Sequence, residues 1–258
     1  MIDICVNWFK PAFKNDQEQI LSRAKEAGVT HLFSTGSTLE NSIQSAELAK
    51  ELPEVFSATA GIHPHYASTW DQSCKNSLEK LIQLPQVRAV GECGLDFNRN
   101  FSTPEEQLHA FQEQIDLAIK YQKPLFMHQR DAHEAFIECL KSKRNQLTKG
   151  VVHCFTGTEN ELNDYLELDL HIGLTGWICD ERRGFHMHEF ITQIPLNRLM
   201  IETDAPYLVP RTMKPRPSRN EPAFLPHIVH QLSEIYQLPF AEIAKQTEKT
   251  SKSFYDLA

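Results

Sequence analysis

The chain has 258 residues, 41% of them hydrophobic and 23% charged, and a formal net charge of −8. That length suits one large α/β domain. No apolar run approaches the roughly 18 residues that span a bilayer, and the acidic balance excludes a broad nucleic-acid-coating surface, though not an enzyme that grips a chain end through a metal and a few local cations.

Met1-Ile-Asp-Ile-Cys-Val-Asn7 already reads as a strand, with no basic leader before it, so the expectation is a cytoplasmic protein. A helix follows over about 16–27, stopped by Gly28. His31 to Ser34 is a second strand. Thr38 caps a helix that runs to Leu52, ahead of Pro53. Val55 to Ala60 is a third strand, leading into Gly61-Ile-His-Pro-His65, and a helix near Asn76 to Leu84 precedes a fourth at Val87 to Val90. Thr103-Pro-Glu-Glu106 opens a long helix to about Tyr121, with a cap residue, proline in the first turn and acids at the positive end of the dipole.

The alternation continues with strands at Leu125 to His128, Val151 to His153, Leu170 to Ile172 and Leu199 to Glu202. Helices are expected at about 132–143, 159–168 and 185–194. A proline-rich stretch after Ala205 and two closing helices, near 225–236 and 241–254, complete the chain. Eight strands alternating with helices predict parallel β-α units closed into a (β/α)8 TIM barrel, in a single domain over 1–258. The six cysteines are scattered without a Cys-x-x-Cys pair, which fits reduced thiols rather than a disulfide framework.

The polar residues at the strand ends carry the functional reading. Asn7, His63, Glu92, His128, His153 and Asp204 follow strands one, three, four, five, six and eight. In a barrel, catalytic groups collect at those ends. A charge at the end of a buried strand needs a partner, because desolvating it costs several kcal/mol. Imidazoles and carboxylates on neighbouring strands are suitable ligands for a divalent cation: zinc, manganese or iron, and magnesium if waters complete the shell. A metal-dependent hydrolase is expected, with Glu92, His128, His153 and Asp204 as ligands. By contrast, His186 and His188 are expected to be solvated, His227 and His230 to form a surface pair, and Cys5, Cys93 and Cys154 to be small buried thiols. Arg130, Arg182, Arg183, Arg211, Lys214, Arg216 and Arg219 are candidate phosphate contacts or a solvated loop. Tyr66, Phe97, Trp177 and Tyr207 follow strand ends and are candidates either for base stacking or for packing.

Six motifs, Gly61-Ile-His-Pro-His65, Gly91-Glu-Cys-Gly-Leu-Asp-Phe97, Met127-His-Gln-Arg-Asp131, His153-Cys-Phe-Thr-Gly157, Glu202-Thr-Asp-Ala-Pro-Tyr207 and Arg219-Asn-Glu-Pro222, resemble those of the TatD family of metal-dependent deoxyribonucleases over nearly the whole chain. The resemblance implies a barrel of the amidohydrolase type and metal-dependent cleavage of phosphodiester bonds. It implies 3′–5′ exonuclease action on single-stranded DNA and RNA, a link to DNA repair, and Asp204 as the group that accepts or orients a proton of the attacking water. Magnesium is the expected ion, with manganese or zinc as alternatives. His63, His65 and Arg130 are expected to hold substrate phosphate. Many members carry Asp-x-His-x-His on strand one; here the matching positions are Asp3, Cys5 and Asn7, which removes two imidazoles. The chain is expected to be a monomer without a membrane contact. The rival readings are a deacylase of the same ligand type, acting on an ester or amide, and a non-catalytic partner of protein export.

Overall fold

The computed structural model describes residues 1–257 of the chain. Its strands are β1 (Ile2–Val6), β2 (His31–Ser34), β3 (Phe56–Ala60), β4 (Val87–Asp96), β5 (Leu125–Arg130), β6 (Gly150–Val152), β7 (His171–Leu174) and β8 (Leu199–Ile201). The helices are α1 (Gln17–Glu26), α2 (Leu39–Glu51), α3 (Gln72–Ile82), α4 (Pro104–Tyr121), α5 (His133–Lys141), α6 (Glu159–Glu167), α7 (Leu225–Tyr236) and α8 (Phe240–Tyr255). The strands form one sheet in the order β1 to β8. They are parallel where β3 meets β4, β4 meets β5, β5 meets β6 and β7 meets β8. Val6 is bridged in parallel to Ala205, so the chain leaving β8 returns to the end of β1. Strand order that follows sequence order, with a crossover between parallel neighbours, is the topology of a (β/α)8 barrel.

The chain packs as two compact units. One comprises Ser34–His153 and Asn163–His171; the other comprises Met1–Phe33, Cys154–Leu162 and the described residues from Ile172 onward. In the first, Phe111 of α4 stacks on Phe136 of α5 at 5.2 Å between ring centroids, and both are fully buried with Val90, Leu125 and Leu140. Each such side chain contributes about 1.5–3 kcal/mol by leaving water. In the second, Phe33 of β2 packs on Tyr255 of α8 at 4.0 Å, with Ile4, Ile172, Met200 and Ile228 buried.

Several boundaries differ from the sequence-based expectation. β4 does not stop near Val90 but runs to Asp96, so Glu92 lies inside a strand rather than after it. α3 starts earlier than expected, at Gln72, because Asp71 caps it by accepting from the Cys74 N–H at 2.7 Å. The helix expected over 185–194 is two short 3-10 turns, Phe185–Glu189 and Ile191–Gln193. That segment lacks a run of strong helix formers. Its histidines bind carbonyls of other segments instead, His186 that of Gly157 at 3.1 Å and His188 that of Ile178 at 2.8 Å. The expected start of α4 holds in detail. Thr103 Oγ1 accepts from Glu106 N, and the Glu106 carboxylate accepts from Thr103 N, a reciprocal capping box.

Candidate metal centre

The glycines beside Glu92 set its position. A Cβ on Gly91 would lie 2.1 Å from the Phe126 carbonyl oxygen, and one on Gly94 would lie 1.9 Å from that of His128; both residues have positive φ. Only glycine lets β4 run this close against β5. The resulting register pairs Gly94 with His128 and Asp96 with Arg130. His153 follows β6, its N–H donating to the Met127 carbonyl at 2.9 Å. His63 follows β3 on a turn clamped by buried Gln114, whose Oε1 accepts from Ile62 N (2.8 Å) and whose Nε2 donates to Ile62 O (3.0 Å).

Three imidazoles therefore meet one carboxylate oxygen. Glu92 Oε1 lies 2.8 Å from His153 Nε2, 3.2 Å from His63 Nε2 and 3.5 Å from His128 Nδ1. A second carboxylate lies on the far side of His128: Asp96 Oδ2 is 3.4 Å from His128 Nε2 and 2.8 Å from His65 Nε2. Glu92 and Asp96 are 6% and 1% exposed, so two negative charges are held out of water on either side of one ring.

The pKa directions follow from that arrangement. Burial works to raise the Glu92 carboxyl, but the charges of His63 and His153 and hydrogen bonds from His128 and His153 hold it well below its ordinary value. Asp96 is likewise held down, against burial, by hydrogen bonds from His128, His65 and the Arg99 N–H. Burial lowers the pKa of His128, and the two carboxylates outweigh it, so the net shift is upward. Burial brings His63 down to about 4 despite Glu92 beside it. His63 is thus neutral at pH 7. Its Nδ1 accepts from His65 N at 3.1 Å, so its proton sits on Nε2, facing Glu92.

This donor set fits a divalent cation. Glu92 and His128 belong to a group whose ligand atoms all lie within 4.8 Å of one another, and His153 reaches the same Glu92 oxygen; His63, the third member of that group, faces Glu92 with its proton on Nε2. Mixed imidazole and carboxylate donors suit zinc or manganese, and magnesium with waters. Two ionised carboxylates around one imidazole concentrate negative charge that a cation neutralises.

Asp96 was not among the residues singled out from the sequence. Its signal was strand period: Glu92, Gly94 and Asp96 stand two apart and share one face of β4. Its carboxylate also accepts from the Asn98 and Arg99 N–H groups at 3.0 and 2.8 Å, and buried Gln107 binds its backbone. His65 rests against Asp96 and against Phe101, whose ring lies 4.8 Å away and is 66% exposed. Arg130 is exposed at the end of β5, two residues past His128. Tyr66 is also exposed.

The second unit carries Asp204. It follows β8 with φ 54°, a left-handed conformation that a small polar residue tolerates better than a bulky one. Its N–H donates to Cys5 O at 3.0 Å, and Asn7 N donates to Ala205 O at 2.9 Å. Asn7 Nδ2 donates to Asp204 Oδ1 at 2.8 Å, with Cys5 Sγ at 3.5 Å from the same atom. The residues standing in place of two strand-one histidines are therefore hydrogen-bond donors to Asp204. Asp3 is fully buried and accepts from Thr203 N and Oγ1 at 2.9 and 2.6 Å. The Arg219-Asn-Glu-Pro222 motif is structural in this unit. Asn220 Nδ2 donates to Thr203 O at 2.9 Å, and Glu221 pairs with Arg23 through two bonds of 2.7 Å.

Several other expectations meet the structure differently. His227 binds Thr212 Oγ1 at 2.6 Å rather than His230. Cys154 is half-buried and near Thr175, whereas Cys5 and Cys93 are fully buried as expected. Arg219 is committed to Asp16 and the Ala12 carbonyl.

The topology is that of an α/β barrel, and the donor set is a candidate place for a divalent cation. A family model described as TatD related DNase matches residues 2–256. The chain is 47% identical over 259 residues to a protein of Erwinia tasmaniensis named 3′–5′ ssDNA/RNA exonuclease TatD, covering all of both chains. Crystal structures of a TatD family hydrolase from Entamoeba histolytica and of a TatD homologue from Escherichia coli each match with a TM-score of 0.91 at 27% identity, over 100% of this chain and 98% of theirs. The chain belongs to the TatD family of deoxyribonucleases, hydrolases of phosphodiester bonds. Among the described residues, no helix is long and apolar enough to cross a membrane.

Proposed function

We propose that this chain is a metal-dependent exonuclease that removes nucleotides from the 3′ end of single-stranded DNA and RNA. The observation that carries the reading is the meeting of His63, His128 and His153 at one oxygen of Glu92, in a member of a DNase family with full-length relatives that bear the exonuclease name. A divalent cation, magnesium by preference and manganese or zinc as alternatives, supplies polarisation of a phosphoryl oxygen and a water of lowered pKa, near ~7 in the most favourable zinc sites.

The chain's own residues do the rest. Glu92, His128 and His153 hold the cation. Asp96 fixes His128 and His65 from behind, the outer-shell role that orients a ligand ring. His63 keeps a proton on Nε2 and donates it in a hydrogen bond to a substrate phosphate oxygen. His65 assists, and exposed Arg130 grips the terminal phosphate through its forked donors. Asp204 accepts the proton of the attacking water; that role comes from its place after the last strand and from the family motif. With Cys5 and Asn7 spent as donors to Asp204, strand one would offer no imidazole to a second cation, and Glu92, His128 and His153 would hold one.

The match over residues 2–256 supports one TatD-like domain over 1–258. A monomer, a cytoplasmic location and a place in DNA repair complete the reading. Sedimentation, cell fractionation and the sensitivity of a deletion strain to DNA damage test these in turn. The enzymatic test is direct. Protein stripped by chelator is expected to lose hydrolysis and regain it on adding metal, while Glu92→Ala and Asp204→Ala fold and stay inactive. Activity retained in both variants would falsify the assignment.

A further inference from the structure

The loops after β7 and β8 enclose a cavity of about 260 Å³ that shares no residue with the cluster around Glu92. It is lined by Trp177, Asp180, Arg182, Arg183, Arg211 and Arg216, among others. Asp180 is buried and organises three of the arginines. Arg182 reaches both its oxygens at 3.2 Å, Arg183 lies 3.5 Å away, and Arg211 Nε lies 3.5 Å away. Arg183 also covers the Trp177 ring at 4.4 Å.

The turn that presents these groups is tightly built. The Asp180 carboxylate accepts from the Arg182 N–H at 3.0 Å, and Gly184 N donates to Asp180 O at 2.7 Å. A Cβ on Gly184 would lie 1.9 Å from Trp177 O, so the backbone closes on itself only with glycine there.

Two features indicate what the cavity takes. Its cations outnumber its acids: four arginines stand against Asp180 and neighbouring Glu181, in a chain of net charge −8. One buried donor on its wall, Trp177 Nε1, makes no hydrogen bond, and Arg211 Nε has only the longer ion pairs to Asp180 and Glu181 at 3.5 and 3.7 Å. Buried donors left unpaired are rare and call for an acceptor. A phosphate brings several strong acceptor oxygens and a charge of the right sign. The volume is below the ~300–1,000 Å³ of ordinary small-molecule sites, which suits one phosphate and part of a sugar.

We propose that this cavity is a phosphate subsite for the single-stranded nucleic-acid substrate, holding a backbone phosphodiester away from the scissile bond. The inference rests on the exonuclease reading above and names a second place where the strand is gripped.

The test is direct binding to chelator-treated full-length protein, in which no cleavage occurs. Wild type, Arg182→Ala/Arg183→Ala and Trp177→Phe are titrated with an oligothymidylate, with the same oligomer bearing neutral methylphosphonate linkages, and with inorganic phosphate. Both arginines are more than half exposed, and Trp177→Phe keeps an aromatic ring while removing the N–H, so a folded variant is available by either route. The oligothymidylate is expected to bind the double variant at least about tenfold more weakly, with a salt slope smaller by about 0.7 for each phosphate that is no longer neutralised. The methylphosphonate oligomer is expected to bind all three proteins equally poorly. Unchanged oligomer affinity and salt slope in both variants would overturn the proposal. So would a loss confined to inorganic phosphate, which would mark a small-anion site. A wild-type protein that cleaves no nucleic acid would instead overturn the exonuclease reading, so the two failures are separable.

Discussion

Gln107→Leu tests whether the support behind Asp96 matters to the metal centre. Gln107 is fully buried. Its Oε1 accepts from Asp96 N at 2.8 Å, and its Nε2 donates to Asp96 O at 3.1 Å and to Ser102 O at 2.9 Å. Leucine has similar volume, so the substitution leaves no large cavity. It does leave the Asp96 N–H without its acceptor and removes the donor from two carbonyls. An unsatisfied buried donor costs about 1–3 kcal/mol, and each carbonyl retains a second lone pair, so the sum is about 3 kcal/mol. For a chain of this size that lowers the melting temperature by roughly 6–12 °C. The loop holding Asp96 then loosens, and metal affinity falls by about 10–100-fold, as for other outer-shell losses. Thermal unfolding and calorimetric titration with manganese or magnesium read the two effects separately. A variant that melts with the wild type and binds metal equally well would refute the argument that Gln107 positions Asp96.

Two further outcomes are expected. Arg130→Ala weakens single-strand binding in the metal-loaded protein more than it weakens metal binding; the reverse order, seen by titrating metal and oligonucleotide separately, would remove Arg130 from the substrate site. Asp180 is held at about 2 rather than 3.8, first by the hydrogen bond from Arg182, against burial, with the Arg182 N–H and the charges of Arg182 and Arg211 adding to it. A depressed carboxyl stabilises the fold above its unfolded value and loses that contribution as pH falls through the folded one. The melting-temperature gap between wild type and Asp180→Asn should therefore be full at pH 7 and close between about pH 4 and pH 2; a gap that stays constant over that range would contradict the pairing.

Much of the scaffold was legible in the sequence because its signals are local. Caps at Thr38 and Thr103, and short apolar runs ending in His128 or His153, follow from backbone chemistry that each segment carries alone. Glycines flanking Glu92 stood out in the sequence, but their reason, the close approach of β4 to β5, shows only in the fold. What was not legible depends on partners far along the chain. Asp96 was missed because the strand was ended near Val90, whereas β4 continues through Gly94 and keeps Asp96 on the face of Glu92. The proton position on His63 is set by the His65 N–H, a bond that exists only once the turn has formed. The 185–194 segment has apolar residues at helical spacing but no run of strong helix formers, and its histidine rings bind carbonyls elsewhere, which leaves only short turns. Cys5 and Asn7 read as absent ligands; their part as donors to Asp204 needs β1 and the exit of β8 side by side.

The central claim is that a cation held by Glu92, His128 and His153 cleaves nucleotides from an unpaired end. A strand attacked from its end must be unpaired there, and opening a duplex end costs roughly 1.4 kcal/mol per base-pair step. The most direct measurement is digestion of 5′-end-labelled linear single strands, blunt duplex and circular single strands by chelator-stripped and metal-restored protein. The account predicts a ladder shortening from the 3′ end of the linear strand only when metal is restored, slower attack on duplex, falling activity with rising salt and intact circles. Rapid cutting of circular single strands, or cleavage that survives complete removal of metal, would contradict it.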